Sequence, residues 1–99
     1  MQINDAQLLV LWALADGPAH GYAVNTAIED LTGERLGPGS LYGALARLEA
    51  KGLIEALHEE GRQQPVQLTA EGRRRLEERL RSMSRLARTG LQRLGLEPA

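Results

Sequence analysis

The sequence predicts a mainly α chain of the α+β class, with three short helices, a two-stranded hairpin and one long final helix. Three observations carry that expectation. Apolar residues recur at three- and four-residue spacing in the second, third and last helical stretches. Gly-Pro pairs at 17–18 and 37–38 stop one helix and introduce another. Between residues 53 and 69 the spacing changes to strict alternation, the period of a strand.

Composition bounds the rest. A chain of 99 residues builds one domain with one modest core. Phenylalanine is absent and the aromatics are Trp12, Tyr22 and Tyr42, so the core is aliphatic. With no cysteine there is no disulfide framework and no thiolate metal site. His20 and His58 stand alone, without the spacing of a metal pair, so no metal and no cofactor is expected. No Ser/His/Asp set or carboxylate dyad can be assembled, which argues against an enzyme. No signal-peptide pattern is present, and the longest apolar run, Leu8 to Ala15, is too short to span a bilayer. A cytoplasmic chain with no membrane contact is the expectation. Net charge is −1, but it is unevenly spread. Residues 1–60 carry Arg35, Arg47 and Lys51 against nine carboxylates, whereas residues 61–99 carry nine arginines against four glutamates. A basic second half on a neutral chain is either a solvated helix face or an electrostatic footprint.

The first helix begins at Asn4 or Asp5, either of which can cap it, and ends at Gly17-Pro18. From Leu8 to Ala15 it is apolar on every side, so it needs cover from two directions, and a second subunit is the natural source. The second helix runs from about Gly21 to Leu31. Tyr22, Val24, Ala27, Ile28 and Leu31 form its stripe, with Asn25, Glu29 and Asp30 outward and Gly33 as its left-handed cap. The third starts at Pro38, whose φ already suits a first turn. Leu41, Ala44, Leu45 and Leu48 face the core; Gly43, Ala46, Arg47 and Ala50 lie opposite, and Gly52 ends it.

Ile54, Ala56 and His58 alternate with Glu55 and Leu57, and Val66 and Leu68 flank Gln67, giving two short strands around the tip "EEGRQQ". Pro65 cannot donate to a ladder, so its strand should be an edge. Thr69 caps the last helix, in which Leu76, Leu80, Met83, Ala87, Gly90 and Leu94 repeat at steps of four and three, widened by Leu86 and Leu91. About 24 residues at 1.5 Å each make a helix roughly 36 Å long, more than a three-helix domain can cover.

Three helices followed by a hairpin are the order of a winged helix-turn-helix. Residues 1–69 then form a winged-helix DNA-binding domain with a two-stranded β-wing, and residues 70–99 a C-terminal dimerisation helix continuous with it. Three segments in this order, "GPAHGY", "LGPGSLYGALARLEAKGLIEA" and "QLTAEGRRRL", resemble the PadR family of transcriptional regulators, in particular its short subfamily with a single C-terminal helix. The resemblance implies a homodimeric repressor whose third helix enters the major groove of a palindromic operator while the wing approaches the minor groove or backbone.

By that likeness Gly39, Ser40 and Tyr42 match a segment whose hydroxyls take phosphate or base-edge contacts, Tyr22 matches the tyrosine near the start of the second helix, and Arg47 occupies the basic position of "RLE". The wing departs from the family pattern: in "GRQQPVQLT" only Arg62 is charged, with Gln63 and Gln64 left to hydrogen-bond. From the residues themselves, Pro38, Gly39 and Ser40 leave an uncluttered helix start whose N–H groups can face a phosphate, and Gly43 permits close approach to a groove. Both tyrosines are expected to be half packed, with wet hydroxyls. The expected dimer interface joins Leu8, Leu11 and Trp12 to Leu76, Leu80, Met83, Ala87, Leu91 and Leu94. Trp12 could also wall a pocket for a small hydrophobic or aromatic effector between subunits. The arginines Arg73, Arg74 and Arg75 are expected to pair with Glu77 and Glu78. Two other readings stand beside this one: a winged helix that binds a partner protein, as its acidic first 60 residues suit, and a small-molecule sensor centred on Trp12.

Overall fold

A computed structural model describes residues 5–57 and 64–96 of the chain. The elements follow in the expected order: α1 (Ala6–Ala13), α2 (Gly21–Thr32), α3 (Pro38–Ala50), β1 (Ile54–Ala56), β2 (Val66–Leu68) and α4 (Ala70–Arg93). Among the described residues no helix is long and apolar enough to cross a membrane.

Asp5 starts α1: its Oδ1 accepts the Leu8 N–H at 3.0 Å. This helix is the centre of the fold, packed chiefly on α3, then on α2, and touched by the start of α4. Leu8, Leu9, Val10, Leu11 and Leu14 are all buried by the single chain. Each such side chain contributes roughly 1.5–3 kcal/mol of burial. The all-round apolar pattern of α1 therefore needs no second subunit, because α2, α3 and α4 cover it from different sides. Leu8, Leu11 and Leu76, expected at a dimer interface, are buried in this core by the single chain. Trp12 packs on the edge of that core, half-buried.

Gly33 closes α2 at φ +86°, a left-handed cap that only glycine adopts without strain, and its N–H donates to the Glu29 carbonyl. Asn25 does not face outward as its polarity suggested. It is buried, and its Nδ2 donates to the Leu36 carbonyl while its Oδ1 accepts the Leu36 N–H, both at 2.8 Å.

The hairpin pairs β1 with β2 antiparallel, Ile54 opposite Leu68 and Ala56 opposite Val66. Ile54 is buried, but Ala56 is exposed, so the alternation loses its inner face after one residue. The strand after Pro65 is not an edge. Val66 exchanges two backbone hydrogen bonds with Ala19, each 3.0 Å, on the side away from β1. Pro65 is tolerated because its carbonyl still accepts the Leu57 N–H at the end of the ladder. The expected strand residue His58 and the wing residues Arg62 and Gln63 lie outside the described residues.

Thr69 joins the hairpin to α4. Its Oγ1 donates to the Gly52 carbonyl (2.7 Å) and accepts the Gly72 N–H (3.0 Å), and its N–H donates to the Leu53 carbonyl. Gly72 sits so close to β1 that a Cβ built on it would lie 1.8 Å from the Leu53 carbonyl oxygen. Beyond Leu76 no side chain of α4 is buried, and the helix stretches the molecule to 54 × 27 × 20 Å. Gly72→Ala should therefore cost about 2–3 kcal/mol, since helix and strand must separate to admit the methyl group. Denaturant unfolding measures this; an unchanged midpoint would mean that α4 does not approach Leu53 this closely.

Candidate nucleic-acid interface

The surface around α3 is built by a division of its sides. Leu41, Ala44 and Leu48 are buried and Leu45 is half-buried, anchoring the helix to α1. Pro38, Gly39, Ser40, Tyr42, Ala46 and Arg47 are exposed. A Cβ on Gly39 would meet nothing within 4 Å, so the start of the helix is open. Neither α2 nor α3 has a side-chain cap, in contrast to α1 and α4, which are capped by Asp5 and Thr69. Gly43 has a defined purpose: the Arg47 Nη1 would lie 2.9 Å from a Cβ there, so the guanidinium rests on the bare backbone of the preceding turn. Lys51 points elsewhere and donates to Gln7 Oε1 at 2.8 Å, tying the end of α3 to α1.

Tyr22 and Tyr42 are more exposed than their expected half-packed state, at 75% and 63%. They stand on two walls of one cleft of about 450 Å³, between the starts of α2 and α3 and the strand β2. Gln64 lines the same cleft, as do His20, Arg35 and Pro38. The Arg35 guanidinium lies over the Tyr22 ring, 5.2 Å from its centroid, a cation–π contact. His20 keeps its Nδ1 buried and without a hydrogen-bond partner among the described residues. Trp12 is not among the residues lining this cleft.

Of the residues expected to meet a nucleic acid, the structure brings Tyr22, Pro38, Tyr42 and Gln64 to one cleft and sets Gly39, Ser40, Gly43 and Arg47 along the adjoining helix. Sequence reasoning missed Asn25 and Arg35. Asn25 was legible, since it stands four residues after Gly21 and three before Ile28, on the apolar stripe of α2. Arg35 was not, because its contact with Tyr22 is made across the turn between α2 and α3.

Along α4 the expected pairing is met in part. Arg74 bonds to Glu78 as expected and also to Glu71, while Glu77 pairs with Arg81. The hydrogen bond to Glu71, then the charges of Glu71 and Glu78, hold the Arg74 guanidinium above its ordinary value. Arg79 reaches Asp5 across the junction with the head, at 3.2 Å. The expected seam is open to solvent: Leu80 is 41% exposed and Met83 38%, with Leu86, Leu91 and Leu94 also exposed.

The profile of the transcriptional regulator PadR-like family matches residues 10–78. An uncharacterized 37.1 kDa protein in transposon TN4556 of Streptomyces fradiae is 66% identical over 87 residues, which are 88% of this chain and 25% of that protein. The transcriptional regulator YqjI of Escherichia coli is 36% identical over 77 residues, 76% of this chain and 37% of YqjI. The chain thus spans a quarter to a little over a third of these relatives. Among solved structures, a PadR family transcription regulator from Clostridium difficile superposes with a TM-score of 0.77 at 26% identity, covering 90% of this chain and 96% of that one. BpsR of Bordetella bronchiseptica, described with its DNA binding regulated by 6-hydroxynicotinic acid, has a TM-score of 0.71 at 26% identity, over 91% of this chain and 62% of that one.

Asn25→Ala removes both bonds to Leu36 and leaves that residue's backbone groups unpaired beside the core. A loss of about 2 kcal/mol is expected in urea unfolding. A cost under about 0.5 kcal/mol would show that the turn before α3 holds without it.

Proposed function

The chain belongs to the PadR-like family of transcriptional regulators, and from that premise we propose that it acts as a homodimeric repressor binding a palindromic operator. The observation that carries the reading is the two-sided character of α3. Its leucines are clamped to α1, while its outer side offers Ser40, Tyr42 and Arg47 over small residues. A helix so held can enter a major groove without rearranging, and its small residues let the backbone come close. Arg47 is the residue suited to a guanine edge or a phosphate, and Gln64, with Arg62 and Gln63 of the wing, extends the contact beyond the groove.

The second copy is proposed to meet α4. With Leu8, Leu11 and Leu76 already buried in the head, the interface falls to Leu80, Met83, Ala87, Leu91 and Leu94, together with Trp12 on the edge of the core. Exposed leucines in a row at helical spacing are the usual mark of a partner helix. Two such heads would meet half-sites about one helical turn apart. An effector pocket beside Trp12 would form between subunits; the regulation of BpsR by 6-hydroxynicotinic acid supports a small aromatic effector for this fold.

A second reading rests on charge. Among the described residues up to 69 the cations are Arg35, Arg47 and Lys51, outnumbered by carboxylates, which favours a partner protein over DNA. Titration with duplex DNA separates the two. A DNA reader loses affinity steeply between roughly 50 and 200 mM salt, with a slope set by the phosphates it neutralises. No binding to a random duplex library at low salt would sink the operator reading. Replacing both Leu80 and Met83 with glutamate should give monomers by light scattering, and an unchanged dimer would refute this seam.

A further inference from the structure

The head has few cations to spend on a polyanion, so the environment of each matters. Lys51 is engaged with Gln7 at the far end of α3. Arg47 lies along the outer side of that helix. Arg35 is the third, and it is held unlike the others. It sits in the turn before α3, with its guanidinium over the Tyr22 ring at 5.2 Å. Its Nη1 donates to Glu29 Oε1 at 3.2 Å and to Thr26 Oγ1 at 3.4 Å. Three residues of α2 therefore orient one planar group at the wall of the 450 Å³ cleft. Only Nη1 is used among the described residues, which leaves the Nε and Nη2 donors for a ligand. Two parallel N–H groups on a rigid fork match two oxygens of a phosphate. Across the cleft stand Tyr42, with a phenolic donor, and the Gln64 carboxamide.

The ion pair with Glu29 does not oppose this use. Both side chains are partly exposed, at 34% and 46%, and such pairs are worth little. A phosphodiester arriving in the cleft can share the guanidinium without a large loss.

We propose that this cleft seats one phosphodiester of the DNA backbone, with Arg35 as its charge partner and Tyr22 as the residue that positions Arg35. The site rests on the DNA-binding reading above and adds to it a residue that the wing, poor in charge, does not supply. It lies at the start of α3, so a phosphate held there sets how far along the groove the helix can slide. Arg35 thus fixes register, and Arg47 reads from the register so fixed.

The experiment is equilibrium binding of the full chain to a selected operator duplex and to a random duplex, across a salt series. Arg35→Ala is expected to reduce the magnitude of the salt slope by about 1.8 for the dimer, about 0.9 for the one phosphate in each of its two clefts. It should weaken both duplexes by the same factor, as a backbone contact does. Arg35→Gln, which keeps a polar side chain in the turn, should show the same reduced slope and so exclude a folding defect. Tyr22→Ala should lower affinity with the slope retained, and Tyr22→Phe should restore it, because the ring rather than the hydroxyl orients the guanidinium. An unchanged slope in both Arg35 variants overturns the site while leaving the DNA reading intact. Absence of salt-dependent binding by the unaltered chain overturns the DNA reading, and the site with it.

Discussion

Asn25 is the one buried polar residue among those described, and both of its hydrogen bonds go to the backbone of Leu36. A carboxamide can donate and accept at once, so it satisfies an N–H and a carbonyl that the turn between α2 and α3 would otherwise leave unpaired beside the core. Serine could not reach, and an ionised aspartate could not donate. With Leu36 pinned, Pro38 begins α3 at a set place and angle, and Arg35, one residue before Leu36, is set over Tyr22. The position of α3, the walls of the cleft and the orientation of its guanidinium all descend from this one clamp. Being fully satisfied, it rigidifies the turn; half-satisfied, it would cost more than an apolar residue.

A second constraint joins the head to the long helix. Thr69 and Gly72 bring the start of α4 against Gly52 and Leu53, and the absent side chain at Gly72 sets the distance. Only Gly72 and Leu76 of α4 are buried, so the head stabilises about two turns of a helix of 24 residues. The rest draws on its own helix formers and on surface pairs such as Arg81 with Glu77, which contribute a few tenths of a kcal/mol each. An exposed leucine stripe on a helix supported at one end is the physical basis for placing a second copy there.

Charge follows the same partition. Among the described residues the carboxylates of the head are Asp5, Asp16, Glu29, Asp30, Glu34, Glu49 and Glu55; of these only Glu49 is on α3, near its end, whereas Arg47 lies on the outer side of that helix and Arg35 in the turn before it. The head is thus not uniformly acidic where a polyanion would approach, although its net charge says otherwise. Local placement, not the sum, decides what can dock.

Much of this was legible in the sequence because it depends on local rules. Helix ends followed from Asp5, Gly33, Pro38 and Thr69, and the buried stripe of α3 from the spacing of Leu41, Ala44 and Leu48. The family motifs, which lie in those same segments, pointed to the right family. What escaped was set by which surfaces meet in space. Periodicity marks a residue as apolar-faced but does not say who covers it, so α1 was assigned to a second subunit for cover that α2, α3 and α4 largely supply. The place of Asn25 on the apolar stripe of α2 was legible although its residue type suggested water, but that Leu36 would be its partner was not. Pro65 was read as marking an edge, until Ala19 proved to pair with the free side of Val66. By itself the sequence determined the elements, their order and their inward sides, since capping, φ preference and helical period act within a few residues. Tertiary structure alone decided the cleft, the Arg35–Tyr22 stack and the Gly72 junction, because each joins residues whose contact depends on how separate elements pack.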